Sequence, residues 1–468
     1  MKESNLTRVT AQSRKATPTS QTRCSLFAPL RLCVMLFLVL FSVPVISAQE
    51  VVETIKVRTR VVFMDALVKD KHTGNNVSEL TADNFAVLDD GQPRTISYFT
   101  REGQARKPLA LILILDLRDD GAGRYLKREE CRKSIVDELA KLPEGDQVAI
   151  LAINLNSVDD KTAAIRNGKA MWLTEFTRDR AQIEAGLARI PALVAPAPET
   201  KETERSKHDE KDPARESSGS LSVSTDTNAT APKDSAEAKP KEDAVLETET
   251  IKGKNGAVIT RTIKKDGSVN VKRVSRDGKV VLQLDNIYDM AGATRDATHL
   301  AEEKLPNSQA AIVWLSDGIA PIFYEDRDAT EQILIRQNAI FNTLTVDMRT
   351  LYKFLLPLGQ PLIGWTGLSL AGSAKRLAQQ SGGEAAHVGR VRDYGAGLAR
   401  IIGTLTGRYS LGFALREDEK DDGRLHQLDL RVKALDAKGK PRKLEVSARK
   451  GYYTPKSDGD ATATTRTP

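Results

Sequence analysis

Residues 109–117, LALILILDL, decide how the chain is read. Seven apolar residues in a row, closed by an acid, suit a strand buried on both faces at the centre of a parallel sheet. The flanks extend that reading. A charged helical stretch follows, RYLKREECRKSIVDELAKL from Arg124 to Leu142. QVAILAIN and WLTEFT then read as further strands, and AQIEAGLARI as an amphipathic helix. Strands alternating with helices predict a doubly wound, mostly parallel α/β sheet. The pattern breaks near Ala195 and resumes near Asp285 with a helix at DATHLAEEKL, a strand at AAIVWLSDG, a helix at DATEQILIRQNAIFNT and a strand at LTVDMRTLY.

The segments outside this core read differently. From Val52 to Thr100 apolar and polar residues alternate, and Asp90-Gly91 marks a tight hairpin. The tail returns to β with YSLGFALR, LHQLDLRVKAL and LEVSARKGYYT, which are expected to pack with the N-terminal strands as one small β-sandwich. The organisation is therefore 1–48 export segment, 52–104 N-terminal β, 108–194 first part of the α/β domain and 195–251 acidic disordered linker. It continues with 252–284 basic β-meander insert, 285–408 second part of the α/β domain, 409–455 C-terminal β and 456–468 tail.

Charge separates along the chain. The 468 residues carry 70 Lys+Arg and 63 Asp+Glu, a net +7. Residues 1–48 hold six bases and one acid, then the apolar run LCVMLFLVLFSVPVIS and a small-residue exit at Ala48, the order of an export signal. Without it the balance is 64 against 62, or +2. That remainder hides eight bases and 14 acids in 199–250, next to nine bases and two acids in 252–279. A pI near 9.1 is thus no sign of nucleic-acid binding. The expected location is periplasmic, cell-surface or extracellular, with membrane contact only through an uncleaved signal segment. Only Cys131 survives removal of that segment, so a mature monomer has no internal disulfide, and buried filler is its expected role.

Candidate chemistry lies at strand ends. Asp116 closes LALILIL, Asp317 closes AAIVWLS, and Thr294 stands in MAGATRDA, read as a loop. Two carboxylates and a hydroxyl are hard oxygen ligands suited to Mg²⁺ or Ca²⁺. These residues resemble the metal-ion-dependent adhesion site of von Willebrand factor A domains, over about 108–194 and 285–412. Asp116 matches the first Asp of that family's Asp-x-Ser-x-Ser loop, Thr294 its Thr, and Asp317 in Ser316-Asp317-Gly318 its last Asp. The flanks 63–99 and 409–453 resemble the exported bacterial "VWFA-related" family best known from acidobacteria. The resemblance implies a non-catalytic adhesion-type or scaffold module that binds an unidentified protein or envelope ligand at the C-terminal edge of its sheet.

One departure is decisive. Arg118 stands at the first serine position and Asp120 at the second. A guanidinium is always protonated, and its fork can donate to two carboxylates. Arg118 is therefore expected to replace the metal as an ion-pair hub. The alternative is an altered site in which Asp120 supplies a ligand and Arg118 points to solvent.

Other signals are weaker. Lys264, Lys265, Lys272, Arg273 and Arg276 form a patch for an anionic partner, or the solvated face of a hairpin set. Gly367-Leu368-Ser369 approaches a nucleophile elbow but lacks a convincing strand before it, so a hydrolase is the least favoured reading. A constitutive envelope component without metal is the nearer alternative. The histidines, His72, His208, His299, His387 and His426, are scattered, and no HExxH, CxxC or phosphate loop appears.

Overall fold

The structure is a computed structural model. It describes residues 60–101, 106–118, 122–155, 169–194, 245–265, 267–285, 289–318, 320–346, 364–369, 372–390, 393–416, 418–419, 421–436, 438–454 and 466–467. The expected export segment, most of the acidic linker and Asp120 lie outside the described residues. No helix among the described residues is long and apolar enough to cross a membrane.

The run that opened the sequence becomes β5 (Leu109–Asp116), with all eight residues buried. It sits inside a six-stranded sheet with β6 (Gln147–Leu155), β7 (Lys169–Thr177), β12 (Gln309–Ser316), β14 (Ile340–Val346) and β16 (Ala385–Val388). The spatial order is β16-β14-β12-β5-β6-β7. The alternation of β5 serves two cores, because successive side chains leave a strand on opposite faces. Leu111, Leu113 and Leu115 pack with Cys131 and Ile135 of α2 (Glu129–Leu139) and with Leu398 and Ile401 of α8 (Tyr394–Thr406). Ala110, Ile112 and Ile114 face Ala293 and Ala297 of α5 (Met290–Lys304) and Leu377 of α7 (Ser373–Ser381). Cys131 is buried, and that burial pushes its thiol up to about 12.

A meander of β8 (Val245–Lys252), β9 (Val258–Lys264), β10 (Val269–Val274) and β11 (Val280–Leu284) lies over the second core. Gly267 and Gly278 make its turns at φ +79° and +82°, where a side chain would be strained. Ile251, Ile259, Val269 and Val271 join the cluster of Met290, Ala293 and Phe323. The segment is thus part of the packed body, and the linker boundary expected at 251 is corrected: the chain is already in β8 from Val245. Glu247 and Glu249 made this stretch look like acidic linker, but Glu249 is buried against arginines.

The flanks 61–100 and 409–453 meet in a pair of four-stranded sheets. One has the order β19 (Leu444–Ala448), β1 (Val61–Asp70), β17 (Tyr409–Ala414), β4 (Tyr98–Thr100). The other is β20 (Gly451–Tyr453), β18 (Leu425–Val432), β2 (Phe85–Asp89), β3 (Gln92–Arg94). Met64, Phe85, Tyr409, Leu411, Phe413 and Tyr452 fill the space between them. Lys69 of β1 reaches Glu384 beside β16 at 2.8 Å, which ties this unit to the six-stranded sheet.

The expected fold class is corrected by these pairings. Among the described residues, parallel pairing is confined to β5–β6, β5–β12, β12–β14 and β14–β16. The edge strand β7 of the same sheet runs antiparallel. The remaining sheets, including the short pair β13 (Ile322–Phe323) and β15 (Leu368–Ser369), are antiparallel throughout. The chain is a mixed-sheet protein, mostly antiparallel, not a doubly wound parallel one. The cause is visible locally: continuous apolar runs mark only the central strands, while alternating strands joined by Gly turns supply most of the sheet.

Candidate functional site

Asp116 and Asp317 arrive together because β5 and β12 are parallel neighbours, with Leu115 opposite Leu315. Both side chains are buried. After Asp116 the chain bends at once: Leu117 N–H donates to Ile153 O at 3.0 Å and Gly123 N–H to Arg118 O at 2.9 Å. A Cβ at Gly123 would lie 2.7 Å from Arg118 O, so only glycine allows this approach.

The bend turns Arg118 back over the strand ends. Its Nε donates to both Asp116 oxygens, at 3.0 and 3.1 Å, and its Nη2 to Asp116 Oδ2 at 2.5 Å. The same Nη2 donates to Asp317 Oδ1 at 3.1 Å. Two further groups complete the cluster. Asn154 Nδ2 donates to Asp116 Oδ1 at 3.0 Å. The Ser316 hydroxyl lies 3.1 Å from Asp116 Oδ2 and 3.2 Å from Asp317 Oδ1. Asn154 holds φ +57°, a left-handed backbone that Asn tolerates better than most residues. That conformation falls in an irregular stretch of the β6–β7 pairing.

The arrangement has a clear electrostatic logic. Two unit charges about 4 Å apart interact by about 4 kcal/mol at an effective dielectric constant near 20. Two buried carboxylates would repel on that scale, and a guanidinium between them reverses the sign. Mg²⁺ or Ca²⁺ fits poorly, because Arg118 Nη2 fills the position between Asp116 and Asp317 that such an ion would share.

Thr294 does not join the pair in a loop. It lies inside α5, wholly buried, and its hydroxyl donates to Met290 O at 2.7 Å. The expected loop is helix because Asp289 caps α5 through Gly292 N–H, and alanines propagate it.

The expected basic patch loses a member. Arg273 is buried, with Nη2 2.8 Å and Nε 3.2 Å from the Glu325 oxygens. Residues 269, 271 and 273 of β10 face inward, so Lys272 lies on the opposite face. Lys264 and Lys272 are half-buried, while Lys265 and Arg276 are exposed. Ser369 is buried in β15, two residues long, opposite Ile322.

Sequence reasoning missed a buried ionic layer beneath the meander. Arg295, wholly buried, donates to Glu249 Oε1 and Oε2 at 2.9 and 2.8 Å, to Asp326 Oδ1 at 2.6 Å and to the Thr330 hydroxyl at 2.8 Å. Arg261 adds Glu249 Oε2 at 3.2 Å and Asp296 at 3.0 Å. Against the desolvation that burial imposes, the charges of Arg295 and Arg261 hold the Glu249 carboxyl below its ordinary range. Burial pushes the Asp326 carboxyl up, against the pull of Arg295. No spacing rule links positions 249, 261, 295 and 326.

No protein-family model matches the chain, and no curated protein matches it. Among solved structures it is similar to the pilus adhesin SpaC of Lactobacillus rhamnosus GG in its open conformation. The identity is 9%, with a TM-score of 0.29 over 81% of this chain and 48% of the adhesin. A second form of that adhesin gives 8% identity and the same score, over 81% and 49%. The chain thus spans about half the length of the adhesin chains. A likeness of this size carries neither fold nor function across.

Proposed function

We propose that the chain is an exported, non-catalytic binding or scaffold module whose protein partner docks over the C-terminal edge of the six-stranded sheet without a divalent cation. One observation carries the reading: Arg118 Nη2 sits 2.5 Å from Asp116 and 3.1 Å from Asp317. A cation-dependent site needs open carboxylates that a partner's acid completes through the metal. Here a single guanidinium bridges both acids from within the chain. Partner recognition then falls to exposed apolar surface, for which Trp365, 67% exposed in the turn leading to β15, is the anchor assigned here. Exposed tryptophans are favoured anchors of protein interfaces. Export rests on residues 1–48.

A metal-independent clamp favours constitutive engagement over a cation switch. Partner capture from envelope extract, with and without chelator, tests this. The proposal expects capture that ignores chelator and is weakened by about tenfold or more in Trp365→Ala. Capture abolished by chelator and restored by Mg²⁺ would contradict it.

A further inference from the structure

Away from the sheet edge, the β-sandwich brings a histidine to two aspartates that the chain separates by more than three hundred residues. Asp89 ends β2, and Asp90-Gly91 make the turn into β3 at φ +48° and +81°. Such turns match the twist of a hairpin. The turn folds Asp90 back on β18: Asp90 N–H donates to Gln427 O at 2.8 Å, and Gln427 N–H to Asp90 Oδ1 at 2.9 Å. His426 of β18 then lies with Nδ1 3.1 Å from Asp90 Oδ2 and 3.7 Å from Asp89 Oδ1. The three ligand atoms fall within 4.8 Å of one another.

Each side chain is held. The His426 ring stacks on Tyr452 at 4.9 Å. Asp89 Oδ2 accepts the Tyr452 hydroxyl at 2.9 Å and Arg94 Nη2 at 2.7 Å. Asp89 Oδ1 does not share in this. The Asp89 side chain is 1% exposed, and Oδ1 accepts no hydrogen bond. A buried carboxylate oxygen left unsatisfied is costly and calls for a counter-group. On the far side of the ring, His426 Nε2 also lacks a hydrogen-bond partner, with Asp422 Oδ1 3.6 Å away. A cavity of about 250 Å³ opens over these residues.

We propose that Asp89 Oδ1, Asp90 Oδ2 and His426 Nδ1 form a binding site for a divalent transition ion of the Zn²⁺ class, with Asp422 as the positioning residue behind the histidine. The donor set is one imidazole and two carboxylates, which suits zinc. Binding through Nδ1 fixes the proton on Nε2, where it can be donated to Asp422, the carboxylate–histidine–metal relay common at zinc sites. The cations facing the site are Arg94, committed to Asp89 and Glu419, and Arg424, 3.1 Å from Asp90 Oδ2 and 2.7 Å from Asp422. The Arg424 side chain is 61% exposed and free to yield to an entering ion. Bound metal would pin the β2–β3 hairpin to β18, stapling the N-terminal flank to the C-terminal one. The rival is a protonated His426 that pairs with Asp90 and Asp422 directly.

The test uses the full untagged chain, freed of metal by chelator and titrated with ZnCl₂ by calorimetry. The expected result is one ion per chain at micromolar affinity or tighter, with a raised melting temperature. Asp317→Ala should bind Zn²⁺ unchanged, which separates this site from the sheet edge. His426→Ala and Asp90→Asn should each abolish the stoichiometric heat. Asn-Gly keeps the turn, so Asp90→Asn decides the matter if the histidine variant does not fold. Asp422→Asn should weaken binding about 10–100-fold without removing it. No saturable Zn²⁺ binding by the wild-type chain, or binding unaltered in Asp90→Asn, would overturn the proposal.

Discussion

Arg118 and Asp317 are 199 positions apart in the chain and 3.1 Å apart at the sheet edge. The contact exists because β5 and β12 are adjacent parallel strands and the chain bends immediately after Asp116. It makes the arginine a fixed structural part of the site.

Arg118→Ala should therefore destabilise the chain. Removing one partner of a fully buried ion pair costs roughly 3–5 kcal/mol, and the 17% exposure of Arg118 discounts this to about 2 kcal/mol or more. The variant, unlike wild type, should regain stability in millimolar Mg²⁺, because two carboxylates then lack a counter-charge. Urea unfolding with and without Mg²⁺ reads both effects.

The ionic layer under the meander makes a second prediction. Arg295→Met strands Glu249 and Asp326 in the interior and should cost about 3–5 kcal/mol. Replacing all three by apolar residues of similar size should cost much less, since the desolvation of the charges is removed as well. Hydrogen exchange across 245–284 should rise in the single variant and recover in the triple one.

Position 249 also shows where the sequence stops being informative. Composition assigns Glu249 to an acidic linker, and only the tertiary pairing with Arg261 and Arg295 reveals it as interior. The strands β5 and β12 are legible because LALILIL and AAIVWL have no exposed face to encode. The direction of β7 is not, because WLTEFT reads the same parallel or antiparallel. Thr294 misleads because Gly292-Ala293-Thr294 looks like a loop until the Asp289 cap is seen. Arg118 is conspicuous as a departure from a motif, but Asn154 becomes visible only through its left-handed backbone. Asp90 and His426 each read as ordinary turn and strand residues, and their meeting depends on β18 pairing beside β2.

Glu384 predicts a pH effect. Desolvation would raise its carboxyl, but hydrogen bonds from Lys69 and Arg400 hold it below its ordinary value of 4.5. A depressed carboxylate contributes stability above its unfolded value and loses it as pH falls through the folded one. Stability should thus drop as pH falls below 4.5, and Glu384→Gln should lose that part of the slope. Chemical denaturation across pH 7 to roughly pH 3 compares the two chains, and the variant should be weaker by about 1–2 kcal/mol at neutral pH.

Trp365 separates docking from folding. Trp365→Ala should change stability by no more than about 0.5 kcal/mol, as expected for an exposed position. It should weaken partner capture by about tenfold or more, the scale of an interface anchor. A quantitative pull-down beside a thermal melt distinguishes the two.

The central claim is that Arg118 occupies the place of a cation. Calorimetric titration of Mg²⁺, Ca²⁺ and Mn²⁺ into wild type and Asp317→Ala tests it most directly. The account predicts that the two proteins give superimposable titrations, with no binding that depends on Asp317. Micromolar binding by wild type that vanishes in Asp317→Ala would contradict it.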